Sequence, residues 1–399
     1  LLFFFPAFLL GTLSPYAIKL QSVYFPEQGV GSIAGKIFFW STLGSIVGSL
    51  LAGFFLIPNF GINTIMIADG IMVFLLGLIP LLVLSDGKKY FPKFLILFFI
   101  ILGMVLFVVR KDSKEVVFSK DGVYEKIIIR DGEYAGRPVR LFQQDRSSSG
   151  AMFLDSESPT DLVYDYAKYY SLYRIFNQDT KNVLVIGGGA YSIPKALFQE
   201  LPKVVIDVVE IEPSLFNLAK KYFRLPDSQR LNNFTEDGRR FLRKSNKYYD
   251  LIFGDAYYSL FSVPVHLTTQ EFFMVAKDRL SENGIFIANI IGDLSQAKPS
   301  FIMSEIRTFL TVFPNSYFFA VNSSESANLQ NIIFIGYNSD KIVNLNDPIV
   351  LERPESVIRS LNEKRIDIGK FDLSSYPILK DNFAPVEYLI SRSIQRNSY

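Results

Sequence analysis

The sequence predicts an α-helical membrane bundle followed by an α/β domain with a largely parallel sheet. Charged residues are sparse in residues 1–109 and ordinary afterwards, so the two parts of the chain suit different solvents. In the later part, an apolar run that starts at Asn182 ends in Gly187-Gly188-Gly189. Such a run is typical of a buried parallel strand that opens into a turn against a ligand. We expect transmembrane helices in residues 1–110, a small β unit with a connecting helix in residues 111–178, and a catalytic α/β domain in residues 179–399.

Composition narrows the kinds of chemistry open to the chain. Its 399 residues include 41 basic and 39 acidic ones, so no overall field favours nucleic acid as a partner. Cysteine is absent, which excludes disulfides and thiolate chemistry. The single histidine, His266, excludes a metal site built from several histidines. We expect neither a metal ion nor a nucleic acid at the functional site.

Three windows in the first part are apolar and long enough to cross a hydrocarbon core, which takes roughly 20 residues. They cover residues 33–57, 62–84 and 91–109. We interpret the apolar residues 1–16 as the end of a fourth span whose upstream part is missing, and we expect a multi-pass protein in a lipid bilayer. Small residues such as Gly44, Gly48 and Gly53 favour close helix packing. The count of basic residues in the loops mildly opposes a cytoplasmic α/β domain. The cytosolic origin of the nucleoside that this domain is expected to bind weighs more, so we expect the domain on the cytoplasmic side.

Residues 111–178 contain short runs typical of strands. Three apolar runs cover residues 116–118, 124–129 and 139–142. Asp121-Gly122 and Asp131-Gly132 separate them, and Asp-Gly between β-branched runs is a hairpin signal. We expect an antiparallel unit of three to five strands. We interpret the serine-rich residues 147–150 as a loop and residues 159–176 as a helix.

In residues 179–399, apolar runs alternate with helical patterns, as parallel βαβ units require. The strand candidates are residues 183–186, 204–209, 231–234, 251–254, 285–290, 317–321 and 332–337. A helix at 299–313 precedes the last two, and only a turn-rich segment at 322–328 separates them. A parallel crossover needs a dozen or more residues, so this pair should form an antiparallel hairpin at the sheet edge. Five alternating strands with such a hairpin favour the Rossmann-like sheet of Class I S-adenosylmethionine methyltransferases over a nicotinamide-binding sheet.

Acidic residues follow the second and third predicted strands. Glu210 ends the second strand about twenty residues after the glycine turn, where a carboxylate reaches the hydroxyl pair of a ribose. Asp237-Gly238 follows the third, where an acid accepts from the exocyclic amine of adenine. Structural alternatives are a turn without a ligand, a charge at a helix start for Glu210, and a helix N-cap for Asp237. The separation of the motifs favours a nucleoside site.

Asp255 ends the fourth predicted strand. Ligands in open α/β sheets lie beyond the carboxyl ends of the strands, so we expect Asp255 to face the reacting centre as the catalytic residue. Asp250, at the other end of this strand, is expected to be structural. For His266, a capping or packing role near the mouth of the pocket is favoured over that of a general base.

The order and spacing of these motifs resemble the spermidine synthases (polyamine aminopropyltransferases), in particular the branch whose catalytic domain is fused to membrane helices. The resemblance covers nearly the whole chain. Its segments are residues 10–20, 41–48, 164–170, 187–189, 210–212, 237–238, 255–256, 263–269 and 381–387. No single segment is specific to this family, but the order and spacing of the segments are.

The resemblance implies an enzyme that transfers an aminopropyl group from decarboxylated S-adenosylmethionine to an amine such as putrescine and releases methylthioadenosine. In that family, residues matching Glu210 and Asp237 hold the ribose and the adenine, beside the glycine turn and Gly238. The residue matching Asp255 binds and deprotonates the attacking nitrogen, and the one matching Tyr164 lines the amine pocket. We also expect that the chain can form a homodimer.

Four positions depart from the family's pattern. Ala190 and Tyr258 stand where the family has acids. Glu125 stands where it has a glutamine, and Tyr166 replaces the glutamate of a Tyr-x-Glu motif. Tyr258 is a candidate for holding the amine cation against its ring face. Two alternatives remain open: an S-adenosylmethionine-dependent transferase with another acceptor, which Ala190 and Tyr258 motivate, and a membrane transporter whose soluble domain senses a nucleoside.

Overall fold

The chain consists of two compact units, Leu1–Arg110 and Lys111–Tyr399. The computed structural model describes residues 4–83, 87–109, 115–145, 147–256, 263–339 and 342–397. The first unit is helical. Its long helices are α1 (Phe4–Tyr24), α2 (Val30–Leu51), α3 (Ile62–Val83) and α4 (Gly87–Val109), and short helical turns lie at Pro26–Gln28, Ala52–Leu56 and Ile57–Asn59.

One helix among the described residues is long and apolar enough to cross a membrane. It spans Val30–Leu56, which is α2 with the turn that follows it, and Thr64–Ile79 within α3 is a shorter apolar stretch. Large apolar side chains point outward along the first of these, Trp40 and Phe54 among them. The predicted windows 62–84 and 91–109 fold as helices but do not meet both criteria over their described residues. A multi-pass bundle is therefore not supported.

The second unit begins with a four-stranded antiparallel sheet, as expected. Its strands are β1 (Val116–Asp121), β2 (Lys126–Tyr134), β3 (Arg137–Gln144) and β4 (Ser147–Phe153), hydrogen-bonded in that order. One of the two predicted turns was wrong. Asp131-Gly132 lies inside β2, because Asp131 pairs across the sheet with Arg140. Nε of Arg140 donates to Oδ1 of Asp131 at 2.7 Å. The turn falls instead at Ala135-Gly136, where both residues have positive φ.

The serine-rich residues 147–150 form the start of β4 rather than a loop. They pair with β3, and their small side chains allow a close approach: a Cβ on Gly150 would lie 2.6 Å from the Cβ of Ala190. The predicted helix at 159–176 is also shorter than expected. A 3₁₀ helix occupies Asp165–Leu172 and an α-helical turn Tyr173–Phe176, because Tyr164 before them is extended.

A seven-stranded sheet forms the centre of the second unit. Its strands are β5 (Asn182–Ile186), β6 (Val205–Glu210), β7 (Leu231–Thr235), β8 (Tyr249–Gly254), β9 (Leu280–Gly292), β10 (Ser316–Ala320) and β11 (Gln330–Tyr337). The order is β10-β11-β9-β8-β5-β6-β7. β10 and β11 are antiparallel and β11 is antiparallel to β9, whereas the remaining pairs are parallel. The predicted terminal hairpin is confirmed.

Helices cover both faces of this sheet. They are α5 (Ser192–Glu200), α6 (Leu215–Tyr222), α7 (Gly238–Lys244), α8 (Gln270–Lys277), α9 (Phe301–Leu310) and α10 (Val386–Asn397), with short helical turns at Val265–Leu267, Pro348–Leu351, Ser356–Arg359, Leu361–Lys364, Ile368–Lys370 and Leu373–Ser375. Thr269 and Ser300 cap α8 and α9 by accepting from backbone amides.

Central strands are buried on both sides, which is why they read as continuous apolar runs. In β5, Val183 and Val185 pack into one core cluster, and Leu184 and Ile186 pack into the other. The carboxyl ends of β5, β6, β7 and β8 meet at one edge of the sheet. This edge is where the candidate site residues gather.

Candidate active site

A cavity of about 540 Å³ lies at the carboxyl ends of the parallel strands. Most of the predicted site residues line it, namely Gly187, Gly189, Glu210, Asp237, Gly238, Asp255 and Tyr164. Gly188 lines a small adjoining cavity together with Ala190 and Asp255. Tyr258, the remaining predicted site residue, lies outside the described residues. Side chains from the four-stranded sheet, such as Glu125, Gln144 and Ser148, complete the wall.

Glycine is required at two positions of the turn after β5. Gly187 has a φ of +95°, and a Cβ there would meet the carbonyl oxygen of Asp255 at 2.6 Å. A Cβ on Gly188 would lie 2.5 Å from the ring of Tyr191, which is fully buried. The turn is therefore packed against the strand that carries Asp255 on one side and against Tyr191 on the other.

Glu210 is buried at the end of β6 and faces this turn. Its Oε2 accepts from the Gly188 amide at 2.7 Å, and its Oε1 accepts from the Glu212 amide at 2.8 Å. Burial raises the pKa of Glu210 above its ordinary value, although these amides oppose the shift. The alternative of a charge at the helix start fits Glu212 better, because that side chain accepts from the amide and hydroxyl of Ser214. Glu210 is held in the cavity wall by main-chain donors.

Asp237 caps a helix and also faces the cavity. Its Oδ1 accepts from the Arg240 amide at 2.8 Å, which makes it the N-cap of α7. Its Oδ2 lies 2.6 Å from Nε2 of His266, which lines the cavity. Burial alone would raise the pKa of Asp237, but the hydrogen bonds from His266 and the Arg240 amide hold it below its ordinary value. Asp237 therefore caps the helix and lines the cavity at the same time.

Asp255 follows β8 and is hydrogen-bonded by side chains. Its Oδ1 accepts from Nδ2 of Asn289 at 3.0 Å, and the hydroxyl of Tyr166 donates to the same carboxylate. Burial raises the pKa of Asp255 to about 7, although both hydrogen bonds oppose the shift. A carboxylate with this pKa is suited to accept a proton near neutral pH. At the other end of the strand, Asp250 accepts from the Lys181 and Asn182 amides, which is the structural role predicted for it.

Aromatic and amide side chains surround the cavity beside Asp255. The hydroxyl of Tyr164 lies 2.6 Å from Oγ of Ser148, and its ring stacks on that of Tyr166. Asn289 on β9 and Asn331 on β11 also line the cavity, and the sequence interpretation missed both. The available signal was a polar residue inside the apolar run 285–291. The two asparagines come from distant parts of the chain, so only the fold brings them to Asp255.

Acidic groups dominate the electrostatics of the cavity. Carboxylates lining it are those of Glu125, Asp165, Glu210, Glu236, Asp237 and Asp255. Among the described lining residues there is no lysine or arginine. A cleft lined by charges of one sign concentrates ligands of the other sign, so this cavity suits a cationic ligand.

The C-terminal segment is tied to the part of the site around Asp237. Asp381 binds both terminal nitrogens of Arg239, at 2.7 and 2.5 Å, and also accepts from the hydroxyl of Thr269. Arg239 is buried and donates to the carbonyl oxygen of His266. Asp381 belongs to the family-like segment 381–387, and it contacts Arg239 and is not among the residues that line the cavity.

Comparisons with known proteins agree with this geometry. Residues 172–341 match the model of the spermine/spermidine synthase domain. The chain is 30% identical over 177 residues to the polyamine aminopropyltransferase of Vibrio vulnificus (strain CMCP6), over 43% of this chain and 57% of the relative. It is 31% identical over 137 residues to that of Chromobacterium violaceum, over 34% of this chain and 52% of the relative. The chain thus spans about half the length of these curated relatives.

The fold itself is shared with a solved structure. The crystal structure of a probable spermidine synthase from Corynebacterium glutamicum ATCC 13032 matches with a TM-score of 0.55 at 18% identity, over 67% of this chain and 97% of that one. The α/β sheet of the Class I methyltransferase type that the sequence predicts is therefore confirmed. The match over residues 172–341 and the similar aminopropyltransferases make the chain similar in sequence to the spermidine synthases.

Proposed function

We propose that the chain transfers an aminopropyl group from decarboxylated S-adenosylmethionine to an amine such as putrescine. The observation that carries this proposal is one acidic cavity that is lined by both the hydrogen-bonded carboxylate of Glu210 and the half-buried carboxylate of Asp255. In the reaction, the lone pair of the acceptor nitrogen attacks the aminopropyl carbon that is attached to the sulfonium sulfur. A C–N bond forms as the C–S bond breaks. The sulfonium leaves as the neutral thioether of methylthioadenosine, and the proton of the attacking amine passes to Asp255.

The pKa of Asp255 suits it to this proton transfer. A free primary amine has a pKa near 10, so an ordinary aspartate would accept its proton at a cost of roughly 8 kcal/mol. With a pKa of about 7, Asp255 lowers this cost to roughly 4 kcal/mol. The hydroxyl of Tyr166 keeps its proton, since burial and the neighbouring Asp255 raise its pKa well above the ordinary value. Tyr166 therefore orients the base as a donor.

The charges of the cavity favour the decarboxylated cofactor over S-adenosylmethionine. Glu210 would accept from the ribose hydroxyls and Asp237 from the adenine amine, while Tyr164 lines the amine side. S-adenosylmethionine carries a carboxylate, for which the described lining offers no lysine or arginine partner. The decarboxylated form lacks this carboxylate and keeps the ammonium group, so its side chain is purely cationic, which suits acidic surroundings.

We also propose that the helical unit attaches the chain to a lipid bilayer. The support is the Val30–Leu56 helix, whose large apolar side chains face outward. In membranes extracted with alkaline carbonate, the chain is expected to stay in the pellet. Recovery of the full-length chain in the supernatant would overturn this attachment.

Calorimetry on the full chain in detergent tests the transferase. Methylthioadenosine and decarboxylated S-adenosylmethionine are expected to bind, with S-adenosylmethionine at least tenfold weaker. Addition of putrescine to the decarboxylated cofactor should then release methylthioadenosine. If none of the three nucleosides binds, the enzyme assignment fails. If S-adenosylmethionine binds best, a transferase with another acceptor is the better account.

A further inference from the structure

A chain of two hydrogen bonds runs from Asn331 to Asp255. Nδ2 of Asn331 donates to Oδ1 of Asn289 at 2.9 Å, and Nδ2 of Asn289 donates to Oδ1 of Asp255 at 3.0 Å. Asn289 is 2% exposed, so water does not compete for its amide. These two hydrogen bonds link three neighbouring strands, from β11 through β9 to the end of β8.

This arrangement fixes which way the Asn289 amide points. An asparagine side chain has a donor end and an acceptor end, and either can face a neighbouring carboxyl group. With the Asn331 donor beside it, Asn289 turns its oxygen toward Asn331 and its N–H toward Asp255. The reversed amide would set two donors against each other at one end and two acceptors at the other.

The pairing of β9 with β11 places the two asparagines together. Asn331 pairs with Ile291 and Asn289 pairs with Ile333, so both side chains leave the same face of the sheet on adjacent diagonal positions. Cross-strand diagonal neighbours are close enough for such contacts. A shift of register by one residue would turn one side chain to the other face.

The side chains that orient Asp255 in the described structure are uncharged. The glycine turn packs on its main chain through Gly187, and the 3₁₀ helix contributes the hydroxyl of Tyr166. β9 contributes Asn289. The groups that bond to the Asp255 carboxylate are thus one hydroxyl and one amide, and the amide is held in turn by Asn331.

We propose that Asn331 is a positioning residue that locks the Asn289 amide with its N–H on Asp255 and thereby sets the proton affinity of the base. An N–H donor stabilises the charged carboxylate, whereas an amide oxygen in its place stabilises the protonated acid. Without Asn331, the Asn289 amide is free to reverse. The kinetic consequence rests on the proposed transferase function, but the protonation of Asp255 does not.

Asn331→Leu tests this assignment by removing the donor at nearly constant volume. The acidic limb of the pH profile of kcat/KM is expected to move to higher pH by roughly half a unit to one unit, which is a three- to tenfold loss at pH 6.5 and little change at pH 9. Asn331→Gln keeps an amide donor and should restore the limb at least in part. Asn338→Leu is the matched control, because Asn338 follows the same strand, donates to the carbonyl of Ser281 and does not line the cavity.

A second readout needs no turnover. A water-soluble carbodiimide with glycine ethyl ester labels protonated carboxyl groups, and mass spectrometry of the peptide carrying Asp255 gives the midpoint of labelling against pH in the full chain. The midpoint is expected to rise in Asn331→Leu and to stay in Asn338→Leu, with methylthioadenosine binding showing that each variant is folded. Equal midpoints in the wild type and Asn331→Leu would overturn the proposal. If the wild type shows no transferase activity but the labelling midpoint still rises in Asn331→Leu, only the proposed function is overturned.

Discussion

The two ends of the cavity hold their carboxylates in different ways. Around the glycine turn, Glu210 and Asp237 accept from main-chain amides. At the other end, Asp255 accepts from the side chains of Asn289 and Tyr166. Main-chain donors follow from the shape of a turn, whereas side-chain donors depend on contacts between distant strands. We expect the first end to determine nucleoside affinity and the second to determine turnover and its pH dependence.

The sharpest way to break this division is Asp255→Asn. Removal of the base is expected to lower kcat by about 10²- to 10⁴-fold. Methylthioadenosine affinity should stay within about threefold, because Asp237 and Glu210 keep their amide donors. Steady-state kinetics and calorimetry measure the two quantities, with Asp227→Asn, an exposed carboxylate, as the control. Equal losses of turnover and affinity would show that the two ends do not divide the work.

Glu210→Gln changes the other end. The neutral amide loses charged acceptor strength toward the ribose, which is expected to weaken methylthioadenosine binding by about 1.5–3 kcal/mol, or roughly 10- to 150-fold. At saturating cofactor, kcat should change by less than about threefold. Calorimetric titration of this variant beside the exposed control Glu325→Gln measures the effect. A variant that binds normally but turns over slowly would reverse the assignment of Glu210.

The pH dependence separates the ends without any substitution. With a pKa of about 7, Asp255 is in its basic form above pH 7 and is protonated below it. We expect kcat/KM to fall about tenfold for each pH unit below 7. The affinity for methylthioadenosine should be nearly flat between pH 6 and 8. A flat kcat/KM profile over this range would exclude Asp255 as the titrating base.

The smallest expected effect is on the tie between Arg239 and the C-terminal segment. Asp381→Asn removes the charge from a pair whose arginine is buried and whose aspartate is half-exposed. We expect a loss of about 1–2 kcal/mol of stability and a Tm lower by roughly 2–6 °C. Because Arg239 also holds the carbonyl of His266, KM for the cofactor should rise more than kcat falls. Differential scanning calorimetry and kinetics of Asp381→Asn and Asp372→Asn, an exposed carboxylate elsewhere, provide the comparison.

Local signals explain which features were predictable from the sequence. Three glycines after an apolar run indicated the turn, and the short segment at 322–328 indicated the terminal hairpin, since both depend only on nearby residues. The direction of Asn289 was not accessible, because it depends on the register that pairs Asn331 with Ile291. Composition also misled at residues 147–150, where poor strand formers become a strand because β3 supplies partners and Ala190 leaves room only for small side chains. In the helical unit, apolar composition alone predicted more spans than the described helices support.

The lack of a side chain at Gly187 limits which positions around the cavity tolerate substitution. A methyl group at this position would collide with the carbonyl oxygen of Asp255, and the Asp255 amide is bonded to the carbonyl of Ile186. In a selection for new amine acceptors, a side chain such as Tyr164 is more open to change, because its hydroxyl and ring contact the side chains of Ser148 and Tyr166. Position 187 is closed to such change. In the transferase that we propose, acceptor preference can therefore change at such side chains, while the spacing between the glycine turn and Asp255 stays fixed.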